Sequence, residues 1–401
     1  MYIENLSGKC VVLGISGGIA AYKMANVASA LRKSGADVHV IMTQNATEFI
    51  TPLTFETLTG NQCVVDTFAR DFKYDVQHIS LAKAADIIMV APATANIIAK
   101  LANGIADDML STVVLAAKCH KIVAPAMNTA MLENPATQDN IKKLERYGFE
   151  IIESAEGLLA CQDTGKGKLP EPPVLLDYII KGLYGKKDLE GVNVTVTAGP
   201  TEEAIDPVRY ITNHSTGKMG YAIAREAMLR GANVTLISGP VSLEPVPFVN
   251  MVYIKSAKDM FEAVKKSLPD TDIIIKAAAV ADYTPLSVAE NKIKKSDGDM
   301  SIPVIRTDDI LVWVSENKKD SQYVCGFSME TENMLSNSQA KLDKKKLDMI
   351  IANNLKVEGA GFGVDTNVVT IITEDDVKEL PIMSKHEVAG AILDEIVVRR
   401  K

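Results

Sequence analysis

The sequence predicts an α/β protein of two consecutive Rossmann-like, three-layer domains, each a parallel sheet covered by helices. Three observations predict it. Short apolar runs alternate with helical apolar patterns along the chain, the rhythm of a doubly wound parallel sheet. The chain then starts over near its middle. Leu6-Ser7-Gly8 before one apolar run is echoed by Leu189-Glu190-Gly191 before another, and Gly35-Ala36-Asp37-Val38 by Gly231-Ala232-Asn233-Val234. Ala85-Asp86-Ile87-Ile88 is likewise echoed by Thr271-Asp272-Ile273-Ile274. Finally, 401 residues at roughly 150 per domain leave room for two or three separate cores. The expected division is residues 1–188 and 189–401, with GKKDLEG, residues 185–191, as a charged linker.

Composition excludes several classes. Lys plus Arg number 43 against 51 Asp plus Glu, a net charge of -8, which speaks against a general nucleic-acid surface. The five cysteines, Cys10, Cys63, Cys119, Cys161 and Cys325, form no C-x-x-C pair and are odd in number, as in a reduced intracellular chain. The five histidines show no zinc-like spacing with them, and no metal ligand is assigned. The opening MYIENLSGKC lacks the apolar core of a signal peptide, and no stretch is long and apolar enough for a membrane span. A cytoplasmic protein is expected.

In the first half, Cys10–Leu13 enters GISGGIAAYK, residues 14–23. A helix follows, with Ala20, Met24, Val27, Ala28 and Leu31 at helical spacing, closed near Gly35. Strand, glycine-rich turn and helix together offer free backbone N–H groups to a phosphate. The turn is not G-x-G-x-x-G, and the second strand, Val38–Met42, is followed by Thr43 instead of an acidic reader of ribose, so a mononucleotide fits better than NAD. Asp86–Val90 then enters APATAN, residues 91–96, and Lys121–Val123 enters PAMNTAM, residues 125–131. Small residues and proline at the ends of parallel strands are where ligands bind in open α/β sheets. Asn134-Pro135 caps a helix ending at Gly148, Phe149–Ile152 is a further strand, and Pro172–Tyr184 a closing helix. His78, Asn128 and Cys161 stand near these edges. Singly, each has a plain reading: a structural histidine, a turn asparagine, a small buried cysteine. Cys161 lies in the Gly- and Lys-rich loop LLACQDTGKGK, where cations would lower a thiol's pKa.

Taken together and in this order, GISGGIAAYK, His78, APATAN, PAMNTAM and the Cys161 loop resemble the flavin-containing cysteine decarboxylases, and within them the phosphopantothenoylcysteine decarboxylases. The resemblance covers residues 6 to about 180. It implies a flavodoxin-like domain binding FMN, its phosphate near Ser16, Gly17 and Gly18, with Thr43, Ala93, Thr94, Asn96 and Ser111 contributing. It also implies that the substrate thiol is oxidised to a thioaldehyde, whose sulfur accepts the electrons left by departing carbon dioxide. The reduced flavin then returns its electrons, so the net change is decarboxylation. His78 would be the base or electrostatic partner, Asn128 would hold the substrate carboxylate, and Cys161 would supply the final proton. Leu132 and Gln162 depart from the family's usual residues and bear on substrate fit.

The second half opens with the strand Val192–Val196 and the polar loop AGPTEEAIDPVRYITNHSTGKMG, residues 198–220, before a helix from about Lys218 to Arg230. So long a polar segment between regular elements is uncommon without a function. Arg209, Asn213, His214, Ser215 and Lys218 in it suit anionic groups. Ile273–Ile275 runs into KAAAVADY, the counterpart of APATAN. NKIKK, residues 291–295, and KLDKKKLD, residues 341–348, cluster lysines of the kind a nucleoside triphosphate needs, although charge runs are usually solvated helix faces.

DPVRYITNHSTGKMG, AAAVADY, KIKK, GFSMET (residues 326–331), KLDKKKLDMIIANN (residues 341–354) and GFGVDTN (residues 361–367) resemble the phosphopantothenate–cysteine ligases over roughly residues 190–400. The resemblance implies that 4′-phosphopantothenate and CTP give an acyl-nucleotide and pyrophosphate, and that cysteine's amine then displaces the nucleoside monophosphate. Lys292 would neutralise charge during activation. Arg209 and Asn213 would handle the acyl intermediate. Ala278, Asp282, Lys292, Asp309, Ile310, Phe327, Lys341 and Lys345 match nucleotide-contact positions, and Mg2+ would bridge the phosphates. Where the family has a proline before Asp-Ile, this chain has Asp308, which puts the nucleotide contact there in doubt.

The order of the two halves is that of the bifunctional enzymes of coenzyme A biosynthesis. Two other readings compete: an FMN and NAD(P) oxidoreductase, and a non-enzymatic regulator built on the decarboxylase fold. The first needs an acidic ribose reader after a second-half strand, where Val234–Ile237 ends in Ser238-Gly239; the second predicts loss of Cys161, which is present. The resemblance further implies a homo-oligomer, trimeric through the first half and dimeric through the second, a combination that a dodecamer would satisfy.

Overall fold

An apolar run without alternation, such as Val11-Val12-Leu13, has to be covered on both faces. In the computed structural model it is. The structure describes residues 5–67, 77–158, 162, 164–294, 301–330, 334–354, 361 and 363–400. The chain divides into two units, Met1–Tyr184 and Gly185–Lys401.

The first unit holds a parallel sheet of β1 (Cys10–Ile15), β2 (Asp37–Met42), β3 (Ile87–Ala93), β4 (His120–Pro125) and β5 (Glu150–Ile151), in the order β2-β1-β3-β4-β5. This is the flavodoxin-like order, in which the winding reverses between β1 and β3. A hairpin of β6 (Ala155–Leu158) and β7 (Thr164–Lys168) follows. The helices are α1 (Lys23–Lys33), α2 (Pro52–Thr59), α3 (Gln77–Ala84), α4 (Ala95–Asn103), α5 (Met109–Ala116), α6 (Thr129–Glu133), α7 (Pro135–Arg146) and α8 (Pro172–Leu183). Val11, Leu13 and Ile15 join one core with Met24, Val27 and Leu31 of α1 and Ile179 of α8. Val12, between them, joins the other with Ile97 of α4 and Leu110 and Val113 of α5. Full burial of side chains this size contributes about 1.5–3 kcal/mol each, which holds the helices on both faces. Ala20 departs from the expected helix: it lies in a 3-10 turn, Ile19–Tyr22, that leads into α1.

The second unit winds β8 (Asn193–Ala198), β11 (Asn233–Ser238), β12 (Asn250–Tyr253), β13 (Ile273–Lys276), β16 (Tyr323–Glu330) and β17 (Met349–Asn354) into parallel order. Antiparallel β19 (Val369–Ile372) and β20 (Val377–Glu379) extend one edge, giving β12-β11-β8-β13-β16-β17-β19-β20. The parallel part has the dinucleotide-fold order, reversing between β8 and β13. Three small antiparallel pairs complete it: β9 (Glu202–Ala204) with β10 (Tyr210–Thr212), β14 (Tyr283–Pro285) with β15 (Val304–Arg306), and β18 (Thr366–Asn367) with β21 (Met383–Ser384). Helices α10 (Ala257–Ser267), α11 (Ile310–Asn317) and α12 (Met334–Lys344) share one core with Ile274. Helices α9 (Lys218–Leu229) and α13 (Lys385–Arg399) pack on each other, α9 also lying against β8.

Two sequence expectations change here. The polar loop after β8 contains the β9–β10 pair. The charged stretch read as a linker is docked on the second unit: Leu189 is buried, and Asp188 accepts at 2.7 Å from Arg230. That guanidinium is itself fully buried, and Asp188 shares its charge with Asp394 of α13, which accepts from it at 2.8 Å.

The sequence echo has a structural counterpart. Asp86 accepts from the Cys10 amide at 2.7 Å and its own amide donates to the Cys10 carbonyl at 2.9 Å. Asp272 does the same to Asn193, at 2.8 and 2.8 Å, and Asp348 to Val324, at 2.7 and 3.1 Å. Each aspartate clips its own chain to the start of a neighbouring parallel strand.

Candidate functional site

Each sheet offers a crevice at the carboxyl ends of its strands, where the winding reverses. In the first unit this is the end of β1 beside the end of β3. Ser16 is buried there: its hydroxyl donates to the Pro92 carbonyl at 2.7 Å and accepts from the Thr94 amide at 3.0 Å. Thr94 in turn caps α4, its hydroxyl accepting from the Ile97 amide at 3.4 Å. The Thr43 amide donates to the Ile15 carbonyl at 2.9 Å, so the ends of β1, β2 and β3 are joined. The internal use of Ser16 and Thr94 leaves the turn's backbone as the anion donor: the Gly17 and Gly18 amides have no acceptor among the described residues. This arrangement fits the phosphate of a flavin mononucleotide. Ala93 ends β3 and is buried, whereas Asn96 is exposed in the first turn of α4.

Asn128 follows β4 and caps α6, accepting from the Ala130 amide at 2.9 Å. Its neighbours hold the β6–β7 hairpin, Met127 donating to the Gly167 carbonyl at 3.0 Å and Thr129 to the Lys166 carbonyl at 2.8 Å. Cys161, between the two strands of that hairpin in sequence, lies outside the described residues. Two other residues stand apart. His78 is half-buried on α3, and among the described residues no hydrogen bond joins it to Ser16, Thr94 or Asn128. Ser111 is spent in the capping box of α5, its hydroxyl donating to Asp108 at 2.8 Å.

In the second unit the reversal lies between β8 and β13. The Ala278 amide donates to the Thr197 hydroxyl at 3.2 Å and the Ala279 amide to the Gly199 carbonyl at 2.9 Å, closing the two strand ends together. Asn213 reaches the same place, donating to the Ala279 carbonyl at 3.0 Å. Asp206 is buried beneath the loop and accepts from the Arg209 Nε at 3.0 Å and from the amides of Val208, Arg209 and Ile293. Arg209, then these amides, hold its carboxyl well below the usual carboxylate range, burial notwithstanding. Arg209 also donates to the Ile293 carbonyl at 2.8 Å, which sets it beside the exposed Lys292. Lys218 is committed elsewhere, to Asp365 at 2.7 Å and the Gly363 carbonyl at 2.9 Å.

Beyond β13 lies a charged crevice. Asp309 caps α11, accepting from the Leu311 and Val312 amides, and pairs with Lys345 at 2.7 Å. Burial would raise its pKa, but the Lys345 ammonium outweighs that and the net direction is down. Lys341 lies one turn before Lys345, Ile310 is buried in the first turn of α11, and Phe327 is half-buried on β16. Asp282 is exposed, its carbonyl accepting from the Thr307 amide at 3.0 Å, and Asp308 is exposed beside the cap. The structure thus brings Asp309 and Lys345 into contact, and Arg209 into contact with the Lys292 segment. Sequence reasoning gives no role to Asp206 or to Lys276, whose charge lies within range of Lys345, Asp309, Asp282 and Lys341.

Two other features lie off these crevices. A cavity of about 610 Å3 opens at the ends of β11 and β12, but its Tyr221 and Ser238 hydroxyls bond each other at 3.0 Å. Cys10, Asp37 and His39 approach one another at the opposite, amino edge of the first sheet, where Asp37 is already held by Asn61 at 2.8 Å and His39 at 3.1 Å.

Two family models match the chain. Residues 2–184 match the Flavoprotein family model, and residues 189–399 that of the DNA/pantothenate metabolism flavoprotein C-terminal domain. The coenzyme A biosynthesis bifunctional protein CoaBC of Bacillus subtilis is 49% identical over 99% of this chain and 98% of its own. That of Escherichia coli is 43% identical over 98% of each. The solved C-terminal domain of a CoaBC protein is 42% identical, covering 53% of this chain and 97% of that one, with a TM-score of 0.46. With near-complete coverage at this identity, the chain belongs to the family of coenzyme A biosynthesis bifunctional proteins CoaBC.

Proposed function

We propose that this chain joins 4′-phosphopantothenate to cysteine in its second unit, through a CTP-derived acyl-nucleotide, and decarboxylates the product to 4′-phosphopantetheine in its first. The observation that carries the reading is the Asp206 hub. It draws Arg209 against the segment bearing Lys292, while Asn213 is fixed at the end of β13, so three residues from two loops border one strand-end crevice.

In the first unit, the free Gly17 and Gly18 amides would hold the FMN phosphate, with Ser16, Thr43, Ala93, Thr94 and Asn96 shaping the pocket; Ser111 acts through the fold of α5. The bound flavin supplies reversible two-electron oxidation of the substrate thiol. Asn128, on a segment pinned by the β6–β7 hairpin, orients the substrate carboxylate. His78 balances charge as the thiol proton leaves, and Cys161 returns a proton to carbon.

In the second unit, the phosphopantothenate carboxylate attacks the nucleotide's α-phosphorus, and the bond to the bridging oxygen breaks as pyrophosphate departs. Lys292 meets the charge that develops, and Mg2+, when bound with the nucleotide, would offset the charge of its phosphates. Ala278, Asp282, Asp309, Ile310, Phe327, Lys341 and Lys345 border the nucleotide. Arg209 and Asn213 hold the acyl-nucleotide while cysteine's amine forms the amide and the nucleoside monophosphate leaves.

A homo-oligomer, up to a dodecamer, goes with this reading. The β9–β10 and β14–β15 hairpins expose Tyr210, Tyr283, Leu286, Val288 and Ile305, an apolar surface suited to self-association. No helix among the described residues is long and apolar enough to cross a membrane, in keeping with a cytoplasmic enzyme.

The test is mass spectrometry of products from the purified protein with 4′-phosphopantothenate, cysteine, magnesium and CTP or ATP. Formation of 4′-phosphopantetheine with the matching monophosphate is expected with CTP. Cys161→Ser should stop decarboxylation and spare acyl-nucleotide formation, and Lys292→Gln should do the reverse. Loss of both activities in either folded variant would refute separate sites.

A further inference from the structure

The amino edge of the first sheet gathers three metal-ligating side chains that neither crevice uses. Cys10 opens β1 and Asp37 opens β2, directly opposite each other in the parallel register, and His39 follows Asp37 by two. Side chains two apart on a strand share a face. Val11, Val38 and Val40 enter the core formed with α1 and α8, whereas Cys10 packs with Ile41 on the other core. Cys10, Asp37 and His39 therefore stand together on that second face. One sulfur, one carboxylate oxygen and one ring nitrogen of the three lie within 4.8 Å of one another.

Their geometry suits an ion. The His39 Nε2 and the Asp37 Oδ2 are 3.1 Å apart. An ion at the usual zinc distance of about 2.0–2.1 Å from each would be held between them at roughly 100°, near the tetrahedral angle. The Cys10 sulfur would supply a third corner and leave the fourth to water. Asn61 donates to the Asp37 Oδ1 at 2.8 Å and to the Val38 carbonyl at 2.9 Å, so the carboxylate is oriented with Oδ2 turned to His39. Burial first, then the carboxylates of Asp37 and Asp86 and the Cys119 thiol, raise the Cys10 pKa to about 11. Negative charge that penalises a bare thiolate is what a divalent cation relieves. Arg32 acts on Asp37, and Lys121 on Cys119. The side chains of Asp37 and His39 are 56% and 25% exposed, which gives an ion a way in.

We propose that Cys10, Asp37 and His39 form a binding site for a divalent ion of the zinc class, which fastens the amino ends of β1 and β2 together. Thiolate and imidazole beside one carboxylate select such ions over magnesium, which takes oxygen ligands. As the sulfur–metal bond forms, the thiol proton leaves to the buffer, and the imidazole offers its Nε2 lone pair while its proton sits on Nδ1. The site lies at the rim opposite the glycine turn after β1. It braces the frame of the first unit and takes no part in the chemistry at the strand ends.

The experiment is titration of the full-length protein, dialysed free of metal, with Co2+ alone and with Zn2+ against a chromophoric chelator, both in excess Mg2+. Wild type, Cys10→Ser, His39→Gln, Asn61→Ala and Cys119→Ser are compared, with circular dichroism to show that each is folded. Wild type should bind about one Co2+ per chain, with a thiolate-to-cobalt charge-transfer band and tetrahedral visible bands. Cys10→Ser should lose the charge-transfer band, and Cys119→Ser should keep it. Asn61→Ala, which retains all three ligands, should weaken zinc about 10- to 100-fold, the usual effect of losing a hydrogen bond that orients a ligand. His39→Gln should weaken it further. Zinc should raise the melting temperature of wild type and leave that of Cys10→Ser unchanged. Absence of the charge-transfer band in wild type, or its persistence in Cys10→Ser, would overturn the proposal. So would its loss in Cys119→Ser with Cys10→Ser unaffected.

Discussion

The Arg209 guanidinium grips the buried Asp206 carboxylate and also donates to the Ile293 carbonyl at 2.8 Å, tying the polar loop before α9 to the segment that carries Lys292. Asp206→Ala should therefore harm the ligase by misplacement, though Asp206 is a positioning residue and touches no substrate. A drop of about 10²-fold in kcat/KM for amide formation is expected. Decarboxylation of added phosphopantothenoylcysteine should be unchanged. Because Arg209 holds the Asp206 pKa below its unfolded value, the pair's contribution is complete at neutral pH and is lost only as pH falls below the ordinary aspartate range. The ligase rate should accordingly show no inflection from this pair between pH 6 and pH 8.

At Gly17 a β-carbon would sit 2.6 Å from the Asn45 β-carbon and 2.9 Å from its backbone carbon. Gly17→Ala must shift the turn proposed to hold the FMN phosphate. The variant should purify with little flavin, seen as lost visible absorbance, and should decarboxylate poorly while retaining ligase activity.

Gly167 has φ +127°, and an added β-carbon would lie 2.1 Å from the Met127 carbonyl oxygen. Gly167→Ala should break the seam between the β6–β7 hairpin and the Asn128 segment. Flavin content should remain, and the turnover of decarboxylation should fall. If turnover is unaffected, the hairpin has no part in placing Asn128.

Burial, with some help from Glu56, pushes the Cys63 thiol up to about 12, and burial with Asp37 raises Cys10 to about 11. Both should resist alkylation at pH 8 in the native protein and react promptly in urea. The unfolded thiols ionise near pH 8.5, so the stability these residues contribute is intact below that and declines as pH rises toward the folded values. Melting temperature should fall above pH 9, and less steeply in Cys63→Ala.

Much of each crevice is legible in the sequence because glycine and small residues mark strand ends by what the backbone needs there. GISGG, APATAN and AAAVADY are of this kind, and all fall where the sheets reverse. Side-chain roles are less legible. A lysine after Ile273–Ile275 looks like the polar end of a strand, and only the fold brings its charge within range of Lys345, Asp309 and Asp282. Asp206 is one of several carboxylates in a polar loop, and its importance comes from partners 3 and 87 residues away. Ser111 shows the converse: its hydroxyl serves a helix cap, a local use that periodicity leaves open.

Each of the three aspartate clips, at Asp86, Asp272 and Asp348, grips a backbone amide of the strand it holds, by a bond that needs no side chain of that strand. A fastening that ignores side chains is indifferent to what the held strand spells. Each strand is thus pinned where it begins, whatever residues it brings to its far end. Substitution at the ligand-bearing rim can then proceed without a slip in pairing at the opposite rim. This separation lets one chain carry a flavin-dependent decarboxylation and a ligation on frames built alike, each free to be rewritten at the working edge.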